Sequence, residues 1–397
     1  MLSLTMQPLV IHADRAFTPF EEIPDAALVI QGSKISGIGP RGKVDVPRGA
    51  REINARGRTV VPGFVDVHIH GSGGHDVMEG TREALEIITA TVAAHGTTSV
   101  VATTVTASEK ETLESVAGIA RFILDSSQYA TRELSAEILG IHLEGPFIST
   151  ARRGVHPAKW IAAPSIQLLQ KLLAEARGTG QILTLAPELP GALELIEAAR
   201  SAGLVISLGH TDATYEQAQA AIEAGATHAA HVYNAMRPFS HRGTGVIGAV
   251  LTSPKVSAEL IADGVHVDET AIRMLIELKT PERVILVSDG ISATGMPDGK
   301  YQLGMFEVKV SGGVARNAEG KLAGSTLTLD RALRKIVSLG VPLSSAIAMA
   351  TANPARQIGL GTRKGVLAPG ADADLVFLDE KLEVSGVMTR GVGLTLA

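Results

Sequence analysis

The sequence of 397 residues contains no cysteine. Disulfide scaffolds, zinc fingers, iron–sulfur clusters and cysteine nucleophiles all need thiols, so any metal must be held by His, Asp and Glu. Aromatic residues are scarce, with one Trp, four Tyr and eight Phe, so the core must be aliphatic. There is no basic run, and 36 Lys and Arg against 41 Asp and Glu leave a formal charge of −5, which offers nucleic acid no electrostatic footprint. No uninterrupted apolar stretch comes near the roughly 18 residues a membrane helix needs, and no Lys or Arg precedes the apolar residues of the amino terminus. These absences predict a cytoplasmic protein with no nucleic-acid or membrane partner. What the chain does have is 45% hydrophobic residues against 19% charged, which excludes disorder. Its length accommodates two or three domains, or a single barrel of about 250 residues with an appendage.

Hydrophobic patterning divides the chain into three stretches. Up to residue 60, short strand-like segments such as PLVIHADRAF and AALVIQGSKISGIG are broken by Gly and Pro, and GADADLVFLDEKLEVSGVM near the carboxyl end has the same character. Neither end has enough strands to bury a core alone, so residues 1–60 and 360–397 are expected to pair into one small β domain. Over residues 61–359, short apolar runs alternate with longer amphipathic segments, the pattern of a parallel α/β fold. The runs are FVDVHIHG, TTSVVATTV, AEILGIHLEGPF, QILTLAPE, LVISLGHT, THAAHVYNA, SAELIADGVHV and RVILVSDG. Seven of the intervals are helical in pattern; in TREALEIITATVAAHG, for example, Leu85, Ile88 and Val92 recur at helical spacing and Gly96 ends the segment. Eight strand–helix units predict a (β/α)8 TIM-like barrel. No run leads into GxGxxG, so an open dinucleotide-binding sheet has no support. The segment near 300–325 reads as a hairpin insertion.

The unusual polar residues gather at the carboxyl ends of these runs, the face on which a parallel barrel builds its active site. Run one ends in His68 and His70, run three in Glu144, run five in His210; run six holds His231 and run eight ends in Asp289. On a strand, side chains two apart point the same way, so His68 and His70 can reach one ion. An all-N/O ligand set suits Zn²⁺ or another first-row divalent ion. Asp66 and His142 share the faces of His68 and Glu144 but lie deeper, which makes them supports rather than ligands. His95, beside Gly96, reads as a helix cap, and His75 and His228 stay open between a role in the site and none, with the latter favoured.

Together DVHIHG, LEGPF with the later GVHP, LGHTDA, HVYNAMRP, ADGVHV, VSDG with ATG, LAGSTLT and GADADLV resemble the N-acetylglucosamine-6-phosphate deacetylases of the amidohydrolase superfamily. The resemblance runs in order over essentially the whole chain. It implies a metal-dependent hydrolase, a (β/α)8 barrel and a terminal β-sandwich. No lysine stands where carboxylated-lysine members of the superfamily have theirs, so Glu144 takes over as the shared ligand. By the same resemblance, Glu144, His210 and His231 hold the main metal, and His68 and His70 with Glu144 hold a second ion in two-metal members. Some members replace the first of these histidines and keep one metal, so one or two ions are open, with Zn first and Fe, Co or Mn as alternatives.

The resemblance also assigns chemistry. Asp289 corresponds to the catalytic carboxylate, able to accept a proton from water and return it to the departing nitrogen. His156, in GVHP, matches the histidine that polarises the substrate carbonyl. Backbone N–H groups at Asn234 and Ala235 and the guanidinium of Arg242 match phosphate contacts; in the family that arginine comes from a neighbouring subunit, which implies a homodimer. Arg237 is a second candidate for this arginine. His266 resembles a histidine that contacts the sugar phosphate. The expected reaction is removal of acetate from N-acetylglucosamine 6-phosphate in amino-sugar catabolism. The galacto epimer, another N-acyl or cyclic amide, and a non-catalytic binding barrel remain as alternatives.

Overall fold

The computed structural model describes residues 7–19, 21–126 and 133–394. The eight apolar runs become eight strands: Phe64–Ile69, Thr97–Thr104, Glu137–Glu144, Gly180–Leu185, Val205–Leu208, His228–Ala229, Ser257–Leu260 and Val284–Leu286. Each pairs in parallel with the next. The ring closes where Ile69 bridges Gly290 and the Asp289 N–H donates to the His68 carbonyl at 3.0 Å. Every residue of the first two strands is buried, because one side faces the barrel interior and the other the helical shell.

Seven α-helices fill the seven intervals: Arg82–Ala94, Glu109–Ser126, Ile166–Ala176, Ala192–Ser201, Tyr215–Ala224, Gly245–Thr252 and Glu269–Lys279. The first buries Leu85, Ile88 and Val92, starts where Thr81 Oγ1 accepts the Ala84 N–H and ends with His95 at its C-cap. Helix Leu329–Ser338 follows the eighth strand and the insertion. Among the described residues no helix is long and apolar enough to cross a membrane.

The two ends of the chain meet in one six-stranded sheet, in the order Val384–Met388, Leu375–Leu378, Arg51–Pro62, Leu9–Phe17, Glu22–Gln31 and Lys34–Pro40. The strands expected to form a sandwich thus hydrogen-bond continuously, with apolar clusters around Ile11, Leu28 and Phe377 and, separately, around Val10, Ala27 and Val29. Buried Lys364 ties this sheet to the barrel. Its Nζ lies 2.7 Å from Glu137, at the start of the third barrel strand, and 2.9 and 2.7 Å from Asp372 and Asp374, which precede strand Leu375–Leu378.

The insertion has three strands rather than a hairpin: Gly299–Leu303, Phe306–Ser311 and Val314–Arg316. The extra strand forms because GG at Gly312–Gly313, both with positive φ, turns the chain back a second time. Leu303, Val308, Val310 and Ala315 make a small core with Val105 and Ile291, and half-buried Val155 packs against it. The insertion therefore braces the residue immediately before His156.

Candidate metal centre

Seven of the side chains singled out above converge at the barrel mouth. His68 projects from the first strand and His70 follows it, Glu144 ends the third strand, and His210, His231 and Asp289 follow the fifth, sixth and eighth. These last three have φ of 47°, 26° and 49°. A left-handed conformation costs a non-glycine residue of order 1–3 kcal/mol and persists only where its surroundings hold it. Here the His210 carbonyl accepts the Ser149 N–H at 2.8 Å, and the amides of His231 and Asp289 donate to Glu259 Oε2 and the His68 carbonyl, both at 3.0 Å.

Glu144 is the hub. Its two oxygens lie 3.3 Å from His68 Nε2, 3.4 Å from His70 Nε2, 3.3 Å from His156 Nε2, 3.2 Å from His210 Nε2 and 3.0 Å from His231 Nε2. Asp289 Oδ1 stands 3.3 Å from His70 Nε2 and 3.6 Å from His68 Nε2. The other ring nitrogens decide what these approaches mean. Nδ1 of His68 faces Glu259 Oε2 at 2.8 Å, that of His70 faces the Thr103 carbonyl at 3.2 Å, and that of His210 faces the Arg152 carbonyl at 3.1 Å. Carboxylates and carbonyls only accept, so each of these rings carries a proton on Nδ1, which leaves Nε2, on the side of the carboxylates, as the atom that can ligate an ion. The fully buried His68 Nε2 has no hydrogen-bond partner, and His210 Nε2 is 3.2 Å from His231 Nε2. Imidazole nitrogens converging on two buried carboxylates fit a cation between them. Sets of ligand atoms from His68, Glu144 and His231, from His68, His70 and Asp289, and from Glu144, His156 and His210 each lie within 4.8 Å of one another. The site is able to hold a divalent metal.

Its electrostatics agree. Burial disfavours the charge on Glu144 and Asp289, yet the surrounding imidazoles hold Glu144 well below the usual carboxylate range and Asp289 below it. Burial also works against a charge on His70, but Asp289 and Glu144 outweigh it and push the ring up to about 9. A centre that pulls a proton onto an imidazole at neutral pH carries a surplus of negative charge. A cation neutralises that surplus.

His156 has the opposite tautomer. The Thr106 N–H donates to its Nδ1 at 3.3 Å, so Nε2 carries the proton and points toward Glu144. Burial, followed by the neighbouring His210, pushes its pKa down to about 4, which keeps it a neutral donor. His142 and Asp66 lie beneath the centre. His142 Nε2 is 2.7 Å from Thr184 Oγ1, and Asp66 accepts the amides of His68 and Ser288 at 3.2 and 3.3 Å.

The residues matched to phosphate and sugar contacts are not among the side chains that meet at Glu144. Both the Asn234 N–H and its Nδ2 donate to the His231 carbonyl, at 2.9 and 3.3 Å, so its amide is engaged internally. Arg237 is clamped by Asp212, with Nη2 2.7 Å from Oδ2 and Nε 2.6 Å from the carbonyl. Arg242 is exposed, and among the described residues no side chain pairs with its guanidinium. The seventh run is strand only to Leu260, so His266 does not end it. Asp263 closes an Asx turn there, accepting the Val265 and His266 amides at 2.8 Å each and His266 Nδ1 at 2.7 Å.

Sequence reasoning missed Glu259. It is fully buried in strand Ser257–Leu260 and accepts from His68 Nδ1, from His228 Nε2 at 2.7 Å and from the His231 amide. His228 accordingly belongs to the support of the site. The available signal was a carboxylate between Ala258 and Leu260 inside an expected barrel strand, since a charged residue is almost never fully buried unless paired.

A double-layered parallel barrel with this His and carboxylate cluster on its carboxyl face defines a class. The chain belongs to the amidohydrolase family, whose family model matches residues 59–393. Within it, the chain is 38% identical over 347 residues to N-acetylglucosamine-6-phosphate deacetylase of Lysinibacillus sphaericus, covering 87% of each chain. It is 37% identical over 383 residues to N-acetylgalactosamine-6-phosphate deacetylase of Escherichia coli O157:H7, covering 96% of this chain and 98% of that one. Among solved structures, a variant of N-acetyl-D-glucosamine-6-phosphate deacetylase from Mycobacterium smegmatis in complex with N-acetyl-D-glucosamine-6-phosphate superposes with a TM-score of 0.91 at 38% identity. That match covers 98% of this chain and 100% of the other.

Proposed function

We propose that the protein is a metal-dependent deacetylase that hydrolyses the acetamide of N-acetylglucosamine 6-phosphate to glucosamine 6-phosphate and acetate. The observation that carries this reading is the Glu144 carboxylate with five imidazole Nε2 atoms within 3.4 Å and Asp289 beside two of them. Glu144, His210 and His231 hold the main ion, and His68 and His70 with Glu144 hold a second. Zn²⁺ suits this set best, with Fe, Co or Mn as substitutes. A divalent ion there supplies Lewis acidity and an acidified water.

The remaining work falls to side chains. Asp289 accepts the proton of the attacking water as the new C–O bond forms, then delivers it to nitrogen as the C–N bond breaks. His156, neutral and protonated at Nε2, donates to the carbonyl oxygen as negative charge builds on it. Arg242 rather than Arg237 is the phosphate arginine, because Asp212 already occupies Arg237. It reaches the site of a neighbouring copy in a homodimer, where the Ala235 N–H, the Asn234 segment and His266 complete the sugar-phosphate contacts. The barrel, residues 61–359, forms the catalytic domain, and residues 1–60 with 360–397 form the β domain. A phosphorylated sugar does not diffuse across membranes, which fits a cytoplasmic enzyme.

The test is acetate release from the gluco and galacto 6-phosphates and from unphosphorylated N-acetylglucosamine, with metal content measured on the same protein. Fastest turnover of the gluco 6-phosphate by metal-loaded protein is expected. No release from either phosphate with metal bound would sink the substrate assignment.

A further inference from the structure

Glu259 touches none of the reacting groups, yet it is among the most completely buried charges in the barrel. Strand Ser257–Leu260 carries it inward, where it, His68 and His228 are each 0% exposed. Three donors meet its two oxygens. His228 Nε2 lies 2.7 Å from Oε1, while His68 Nδ1 at 2.8 Å and the His231 N–H at 3.0 Å share Oε2. An ionised carboxylate accepts and cannot donate, so the bond to His68 fixes the proton on Nδ1 and leaves Nε2 to face Glu144. The bond to the His231 amide holds a backbone whose φ is 26° and thereby aims the His231 ring. One oxygen atom thus orients a histidine of each ion position.

We propose that Glu259 is a positioning residue that couples the two metal positions, setting the tautomer of His68 and the backbone of His231 through a single carboxylate braced by His228. The proposal rests on the metal reading given above. Partners of this kind behind a ligating histidine typically contribute 10–100-fold in metal affinity.

The experiment is competitive chelator titration of the purified protein with Zn²⁺ and with Co²⁺, whose visible spectrum reports ligand geometry independently of turnover. In Glu259→Gln the amide cannot accept from all three donors without presenting its own NH₂ to one of them. Both bound equivalents are expected to weaken by about 10–100-fold, with an altered Co²⁺ spectrum. His68→Asn is expected to remove one equivalent, and adding Glu259→Gln to it should still weaken the remaining ion through His231. Wild-type affinity and spectrum in folded Glu259→Gln overturn the proposal. Weakening confined to the ion lost in His68→Asn, or a wild-type protein holding a single equivalent, overturns the coupling. Should Glu259→Gln fail to fold, His228→Leu leaves the carboxylate in place without its brace. Weaker binding there supports the proposal, and unchanged binding overturns it. A wild-type protein that binds neither ion is a separate outcome, which removes the metal reading itself and the proposal with it.

Discussion

Replacing Lys364 with Met retains an unbranched apolar stem and removes a charge that is fully buried against Glu137, Asp372 and Asp374 at 2.7, 2.9 and 2.7 Å. Glu137 and Asp372 keep Arg363, and Asp372 also keeps Lys34 at 2.6 Å. Asp374 has no second side-chain cation among these contacts and retains the Arg390 N–H at 2.7 Å. The variant therefore buries a carboxylate without its counter-ion, which costs roughly 3–5 kcal/mol. Its escape is to take up a proton. At pH 7, against an ordinary aspartate pKa near 3.9, that costs about 4 kcal/mol, and at pH 5 only about 1.5 kcal/mol.

The wild-type reference stays level over that range. Lys364 and its neighbours hold Glu137 and Asp372 below the usual carboxylate range against burial, so their contribution is present above the ordinary values and lost as pH falls through the lowered ones. Lys364 itself is raised by the three carboxylates despite burial, and its contribution is lost only as pH rises through that raised value. With an unfolding entropy of roughly 2.1 cal/mol/K per residue over 397 residues, the expected fall in Tm is about 5 °C at pH 7 and about 2 °C at pH 5. Differential scanning calorimetry measures both. A fall below about 1 °C at pH 7, or equal falls at the two pH values, refutes the reasoning. Metal content and kcat should stay at wild-type values at 25 °C, because Glu144 lies at the far end of strand Glu137–Glu144.

Three further outcomes are expected. Asp289→Asn should lower kcat by about 10²–10⁴-fold with KM within a few-fold, the range for a lost general base, and steady-state acetate release would detect retention of full activity. Arg242→Ala should raise KM for the 6-phosphate by about 10–100-fold, the loss of one charge-assisted contact, while leaving turnover of unphosphorylated N-acetylglucosamine unchanged; an effect of equal size on both substrates would remove the phosphate role. Gly118→Ala would ordinarily gain up to about 1 kcal/mol in a helix interior. Here the added Cβ would stand 2.1 Å from the Gly80 carbonyl oxygen, backbone against backbone, so a lower Tm is expected and a higher one would show that the helix can shift.

The barrel was legible because both faces of its strands are buried. FVDVHI is buried at every position, and such a strand must be written as a near-continuous apolar run whatever its neighbours. The candidate ligand cluster was legible for a related reason: a His or carboxylate closing such a run has left the packed interior and faces the barrel mouth, as Glu144 does after ILGIHL. The same logic broke down where polarity was decided at long range. In ADGVHV the apolar letters continue past the strand, and only the Asp263 carboxylate, accepting from the amides of Val265 and His266, ends it. Arg237 and Arg242 are equivalent in a list of charges, yet Asp212, some way up the chain, takes one and leaves the other. Glu259 is the sharpest case, because SAELIAD reads as a strand with one solvated acid. In a parallel barrel no strand has a solvated face, so that acid must find buried donors. The donors are His228 on the adjacent sixth strand and His68 on the first, which neighbouring letters do not reveal; strand pairing brings one within 2.7 Å and closure of the ring the other within 2.8 Å.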